Sequence, residues 1–538
     1  MKYRLLPLLV GAWLVTALAG TAGSAYAAEG DPSSVRFDID RFDVRGNTLL
    51  PPETVNGLVS GYTGKGRDFS DVMGALEALE AAYHARGYQL VRIDLPEQEL
   101  DHGVVVLNIV QIKIAHVKIE GNKYFDDANI HRSLPDLNQW EAPNMKAVSK
   151  SLKLANENPA KKVVMTLQSA EQDDQVDATL AVTDESPWAA TLNLDNSGSD
   201  QTGKTHLGAV LQNANMFGLD HVLSLQYTTT VEKPSAIKVY GAGYHVPLYS
   251  IGDSLDFFGS YSNVNAGTVP IVAGILDIGV TGKGTTFGTR YNQNLPTAGN
   301  FESKIIYGLD YKAYKNGLQF FVSGASTDPS YSDITVHPLS IAYQGNWGQI
   351  DRNLNFGVNF IHNIPGGSHG GQSDFTAARV GASDDYNVLQ FNTALMQTLP
   401  GDWQLRLALA AQYTNDALVA GEQFGAGGAA SVRGFQEREI SNDAGAVGNL
   451  EIYTPPLCKN SDWQCKLLAF YDKGYATRNH ALPGEILSQS LSSIGLGVRM
   501  AFRKNIDLQM DYGHVLQAQS TITQRGDNRL HARISLTF

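Results

Sequence analysis

Arg529-Leu530-His531-Ala532-Arg533-Ile534-Ser535-Leu536-Thr537-Phe538 alternates on a strict two-residue period. In an extended strand Leu530, Ala532, Ile534, Leu536 and Phe538 point one way, while Arg529, His531, Arg533, Ser535 and Thr537 point the other. An arginine facing lipid costs roughly 2–4 kcal/mol at the bilayer midplane, so the charged row has to line a polar lumen and the apolar row has to face lipid. Just upstream, Ile506, Leu508, Met510 and Tyr512 form another outward row, and Ile494, Leu496, Val498, Met500 and Phe502 a third. Only Arg503-Lys504-Asn505 separates those two strands. The reading is a transmembrane β-barrel of antiparallel strands.

The alternation reaches back to Pro187. Residues 187–538 number 352, which at roughly 22 per strand and connection accommodates about sixteen strands. Long extracellular loops are expected at 263–283, 314–335, 363–386 and 415–445, with brief periplasmic turns such as Leu399-Pro400-Gly401-Asp402 between them. A content of 43% hydrophobic residues with 53 Gly and 23 Tyr suits short strands, glycine-bearing turns and aromatic girdles. Beyond residue 30 no run of about eighteen uncharged apolar residues offers a spanning helix.

Residues 1–27 read as a secretory signal peptide. Lys2 and Arg4 precede an apolar run over 5–19, and Ala25-Tyr26-Ala27 has the small-x-small form that is cleaved before Ala28. Loss of Lys2 and Arg4 takes the net charge from −13 to −15, which speaks against nucleic acid as a partner. The only cysteines, Cys458 and Cys465, would close an eight-residue disulfide loop, which an oxidising periplasm permits. Two thiols with no neighbouring His leave a zinc site two ligands short.

A chain of 538 residues exceeds a single core, and the part before the barrel contains a repeat. Phe42-Asp43-Val44-Arg45-Gly46-Asn47-Thr48-Leu49-Leu50 matches Val117-Lys118-Ile119-Glu120-Gly121-Asn122-Lys123-Tyr124-Phe125, with Gly46 and Gly121 lying 75 residues apart. After a short segment at 28–34, two α/β modules are expected at 35–111 and 112–186, each in β-α-α-β-β order. In the first, Pro51 and Pro52 open a helix, and Ser70 caps a second one with apolar positions Val72, Leu76, Leu79 and Tyr83. In the second, helices are expected near 127–134 and 144–156 and strands at 161–168 and 175–183. Modules of this kind can present a sheet edge and helix groove to an extended polypeptide, or act as spacers.

Two motifs in the barrel half carry chemistry. Residues 421–437, GEQFGAGGAASVRGFQE, form a glycine-dense loop whose tip Val432-Arg433-Gly434-Phe435 sets a permanent cation and an aromatic beside a residue free to take positive φ. Phe470-Tyr471-Asp472-Lys473-Gly474 falls on the expected thirteenth strand and puts Phe470, Asp472 and Gly474 on one face. Five alternating segments follow the tip, so its loop starts outside the cell and the cysteines fall in a periplasmic turn. No H-E-x-x-H occurs and the 13 His are scattered without ligand spacing, so neither enzyme chemistry nor a cofactor is expected.

The VRGF tip, the F-x-D-x-G strand and the tandem modules together resemble the outer-membrane transporters of two-partner secretion. This is the haemolysin secretion/activation family of ShlB, FhaC and HecB type, within the wider superfamily of barrels bearing POTRA domains. The resemblance covers nearly all of the chain after the signal and implies POTRA domains at 35–111 and 112–186 ahead of a sixteen-stranded barrel. It also implies an inward-folded loop at 415–445 whose Arg433 meets Asp472, as either a gate or a static brace of the wall. Phe538 resembles the signal that such barrels present to their assembly machinery. The implied client is an unfolded periplasmic exoprotein, typically a large β-helical adhesin or haemolysin, captured by the POTRA domains and passed through the barrel into the medium. An assembly factor for other barrels, or a passive porin or nutrient receptor, are the alternatives. Many family members carry an amino-terminal plug helix. Here cleavage before Ala28 leaves about ten residues before the strand near Phe37, too few for one, so resting closure would fall on the loop 415–445.

Overall fold

Gly46 and Gly121 show why the two repeats look alike. Each takes a left-handed backbone, φ +82° and +87°, and a β-carbon there would lie 2.5 Å from the Ile109 carbonyl oxygen or 2.4 Å from that of Val182. The following asparagines then build the same turn. Asn47 Nδ2 donates to the Leu50 carbonyl at 2.8 Å and Asn122 Nδ2 to that of Phe125 at 2.9 Å, turning Leu50 and Phe125 into their cores.

The structure is a computed structural model describing residues 35–99, 102–199, 203–263, 283–315, 333–458 and 462–538, with the backbone of 321–322 and 325–326. The expected signal peptide, the segment 28–34 and most of the loops expected at 263–283 and 314–335 lie outside the described residues.

The first module contains β1 (Phe37–Ile39), β2 (Arg41–Arg45), α1 (Pro52–Ser60), β3 (Gly64–Arg67), α2 (Phe69–Ala85), β4 (Val91–Asp94) and β5 (Val104–Gln111). Its sheet has the order β2-β5-β4, with β2 and β5 parallel. β1 and β3 form a separate antiparallel pair that sequence reading omits, because Gly64-Lys65-Gly66-Arg67 has no apolar alternation to announce a strand. The expected cap of α2 is also corrected. Asp68, not Ser70, takes that role: its carboxylate accepts from the Ser70 N–H at 2.9 Å while Asp71 accepts from the Asp68 N–H at 3.1 Å. The face of α2 that enters the core is Val72, Ala75, Leu79 and Tyr83, and Leu76 is only half-buried.

The second module contains β6 (Lys113–Glu120), α3 (Asp127–Ser133), α4 (Met145–Ala155), β7 (Lys161–Ser169) and β8 (Gln175–Asp184), with sheet order β6-β8-β7. Asp126 and Asn144 cap its helices through side-chain bonds to backbone N–H groups. Its core continues into the barrel, since Ala214 and Val222 pack in one cluster with Ile114, Ile130, Val148 and Val163. Lys161, fully buried, donates to Asp220 Oδ2 at 2.5 Å and to Asn129 Oδ1 at 2.8 Å, and the Tyr249 hydroxyl donates to the same Asp220 oxygen at 2.7 Å. Burial pushes the Lys161 ammonium below its ordinary value against the pull of Asp220, and burial beside Asp220 holds the Tyr249 phenol well above its own. Around this centre Asn158 Nδ2 reaches the Ala214 carbonyl at 2.7 Å, Ser151 Oγ that of Tyr249 at 3.0 Å and Lys150 Nζ that of Ile251 at 2.7 Å. Turns 217–220 and 249–252 of the barrel are thus built into the module's surface.

The barrel strands are Trp188–Asp195, His206–Met216, His221–Thr230, Val239–Leu248, Asp253–Ser262, Gly284–Asn294, Phe301–Tyr314, Ile334–Val336 with Pro338–Gly348, Arg352–Asn363, Asn387–Thr398, Gln404–Tyr413, Ala444–Tyr453, Trp463–Thr477, Ser488–Phe502, Ile506–Ala518 and Asn528–Thr537. Ile334–Val336 and Pro338–Gly348 both pair with Phe301–Tyr314 and count as one strand broken at His337, so the closed antiparallel ring has sixteen. Leu192, Leu194, Phe257, Leu309, Tyr471, Leu496 and Tyr512 stand on the outer surface, whereas Gln226, Asp256, Asn292, Asp472 and Asp511 are buried inside. The expected loop 363–386 holds a short helix, α5 (Gln372–Ala378).

The ring closes between its first and last strands over the register Arg533↔Asp195 to Thr537↔Thr191. Above that, the Asn196 carboxamide stands in for strand backbone, donating to the Leu530 carbonyl at 2.7 Å and accepting from the Ala532 N–H at 2.8 Å. Phe538, three-quarters exposed, exchanges backbone hydrogen bonds of 2.9 and 3.1 Å with Ala190. Cys458, in the turn before the thirteenth strand, is joined to Cys465, which the expected turn does not include because it already lies in that strand; their Cα atoms are 5.2 Å apart. A thiol reagent applied to the unfolded but unreduced protein is therefore expected to label neither cysteine until a reductant is added. Labelling without reductant would show the bond absent.

Candidate functional site

Phe424–Ala426 pairs antiparallel with Ile440–Asn442, so the loop between the eleventh and twelfth strands is a hairpin whose two arms carry the tip. That tip lies against the inner faces of the twelfth to sixteenth strands. Val432 and Phe435 are fully buried and pack in one cluster with Ala426, Ile440, Val447, Ala476, Leu491 and Val515. Gly434 takes φ +95°. Opposite it, a β-carbon on Gly513 would lie 2.7 Å from the Gly434 nitrogen, so the loop backbone rests directly on the wall.

Arg433, 3% exposed, is held by Asp472 in a fork: Nε to Oδ2 and Nη2 to Oδ1, both at 2.7 Å, with the Arg433 N–H also reaching Oδ2 at 3.1 Å. The strand's alternation brings Phe470 to the same face, and the guanidinium carbon lies 3.6 Å from its ring centroid. Gly474, the third member of the motif, leaves room for Val432, whose Cγ2 would be 2.9 Å from any β-carbon there.

The pairing named from sequence is one part of a larger seat. Glu451 Oε1 lies 2.8 Å from Arg433 Nη2, and Asp511 Oδ1 lies 3.6 Å from Nη1. These carboxylates have further cations of their own, Arg406 on Glu451 at 3.1 Å and Arg499 on Asp511 at 2.9 Å. Three buried anions thus share the buried Arg433, with Arg406 and Arg499 closing the cluster from partly exposed positions. Asn449 donates to Asp472 Oδ1 at 2.8 Å and to the Ser431 carbonyl at 2.6 Å, bracing loop and wall together. The Gly434 N–H donates to His531 Nε2 at 3.0 Å, which fixes that imidazole as neutral with its proton on Nδ1. Sequence reasoning missed Asn449, Glu451, Asp511, Gly513 and His531. Their signal in the sequence is only that of polar or small residues in lumen-facing rows, and the row containing His531 gives that residue no role.

Residues 174–500 match the family profile described as Haemolysin secretion/activation protein ShlB/FhaC/HecB, and residues 37–111 match the POTRA domain, ShlB-type. Outer membrane transporter CdiB of Dickeya dadantii is 21% identical over 414 residues, covering 76% of this chain and 70% of that protein. Heme/hemopexin transporter protein HuxB of Haemophilus influenzae is 19% identical over 497 residues, covering 89% and 84%. In the solved structures, CdiB from Escherichia coli superimposes with a TM-score of 0.72 at 17% identity, over 96% of this chain and 93% of that one. CdiB from Acinetobacter baumannii gives 0.68 at 18%, over 94% and 90%. With more than half of its length matched, the chain belongs to the ShlB/FhaC/HecB family of haemolysin secretion/activation proteins, two-partner secretion transporters of the outer membrane that export an exoprotein.

Proposed function

We propose that Arg433 pins the resting plug of this pore and that its release from Asp472 accompanies passage of the client. The observation that carries the reading is the fork of Arg433 on Asp472 at 2.7 Å, deep inside a barrel whose loop is rooted at the outer mouth. A guanidinium and carboxylate held this way order a long loop in one place, yet both groups regain water once the loop lifts, so the contact is reversible. A brace of the wall would not need a partner on a loop.

The client is read as an unfolded exoprotein, taken up by the two POTRA domains at 35–111 and 112–186 through backbone pairing that ignores side-chain sequence. Its folding outside biases movement outward. We read the protein as a conduit without catalytic chemistry, assembled into the membrane with Phe538 as its terminal signal. Deleting residues 35–110 is expected to abolish secretion while leaving a heat-modifiable barrel in the outer membrane. Secretion retained by that deletion would reduce the first domain to a spacer.

A further inference from the structure

Above the strand ends, at the outer mouth, another ion pair, built on a fully buried carboxylate, joins three loops. Asp443 is the last residue of the plug loop before the twelfth strand, and its side chain is fully buried. Arg379, one residue past the helix α5, forks onto it, with Nη2 at 2.8 Å from Oδ2 and Nη1 in close contact with Oδ1. The same carboxylate accepts the Leu418 N–H at 2.8 Å and the Asn479 N–H at 2.7 Å. Arg379 in turn donates to the carbonyls of Leu418 at 2.6 Å and Asn479 at 3.0 Å. Loops 364–386, 414–443 and 478–487 therefore meet at one point.

The surroundings reinforce it. Asn479 Nδ2 donates to the carbonyls of Thr414 at 2.8 Å and Asp416 at 3.0 Å, and the Asn387 N–H donates to Asp416 Oδ2 at 2.8 Å. Ala382 and Ala417 pair as a parallel bridge, both buried. Beneath them Phe375, Ala382, Tyr386, Leu418 and Val419 pack in one cluster with Tyr314, Ile334 and Val336 of the neighbouring barrel wall. None of these contacts involves Arg433 or its wall partners.

We propose that Arg379 and Asp443 form an outer lock, separate from the tip and closing the extracellular mouth, which opens for a client to leave. The inference goes beyond the tip reading and rests only on this chain being a secretion pore. Both charged groups regain water when the loops part, so the lock gives a closed state that is ordered yet reversible.

The test uses the whole protein in planar bilayers and in a secretion assay. Asp443→Asn keeps the shape of the side chain and removes its charge, and is expected to raise open-channel frequency about tenfold, with Arg433→Ala/Asp443→Asn above either single variant because the two sites share no partner. Asp443→Asn indistinguishable from the parent, or a double variant no more open than Arg433→Ala, would overturn the outer lock. If Arg433→Ala stays closed while Asp443→Asn opens, the tip reading fails and the outer lock stands. In a Cys458→Ser/Cys465→Ser background, Ala382→Cys/Ala417→Cys joins two of the loops covalently. Oxidised, it is expected to secrete at least about tenfold less than after reduction. Equal secretion in both states, with the cross-link verified, would show that the mouth need not open there.

Discussion

Arg433→Ala is expected to be more damaging than Asp472→Ala, and the double substitution milder than Arg433→Ala alone. Removing the guanidinium leaves Asp472, Glu451 and Asp511 buried together with one cation fewer, and an uncompensated buried charge typically costs about 3–5 kcal/mol. Removing Asp472 leaves Arg433 with Glu451 at 2.8 Å and the Phe470 ring at 3.6 Å, so the loss should be nearer 1–3 kcal/mol. Arg433→Ala should therefore unseat the tip, open the channel and halt secretion, while Asp472→Ala weakens the plug. In the double variant one of the orphaned carboxylates is gone, and part of the closure should return. Channel conductance and secretion measured on all three decide it. A double variant whose effect equals the sum of the singles would mean that the two residues do not share a contact in the working protein.

Asp220→Asn should loosen the second POTRA domain from the barrel by about 3–5 kcal/mol, because it strands the fully buried Lys161 ammonium, whose other hydrogen-bond partner is the neutral Asn129. Asparagine is the apt replacement, since Asp220 holds φ +62°, which most side chains resist. Lys161→Met/Asp220→Asn removes the stranded charge as well and should recover most of the docking. Hydrogen exchange across β6 to β8 in the detergent-solubilised protein reads this directly. Fast exchange is expected in Asp220→Asn and near-parent exchange in the double variant. Parent-like protection in Asp220→Asn would show that apolar packing around Ala214 and Val222 holds the domain without the ion pair.

Strand direction, lumen-facing rows and the strand count were legible because lipid and water sort residues on a fixed two-residue period, as in Leu530 to Phe538 against Arg529 to Thr537. The tandem modules were legible because Gly46 and Gly121 answer the same steric demand. The antiparallel pair of β1 and β3 was not, since glycine and lysine there carry no burial pattern. At the site, Arg433 and Asp472 announced themselves through motifs. Glu451, Asp511 and His531 lie on three different strands, and what unites them is their angle around the ring, which a linear pattern does not encode. The docking of Lys161 against Asp220 was hidden for the same reason: a lysine that opens a strand reads as solvated until a barrel turn is laid over it.

The seat of the tip includes His531 on the sixteenth strand, and that strand is the one that closes the ring against the first, pairing Thr537 with Thr191 from 346 residues away. Closing the last strand on the first brings together the two ends of the barrel chain, the contact with the highest loop-closure cost. The loop can reach its full set of partners only once the last strand is in place. A barrel whose ends have not met is therefore one whose plug still lacks a partner in its seat. Leakiness of the outer membrane would then report unfinished assembly as readily as it reports transport.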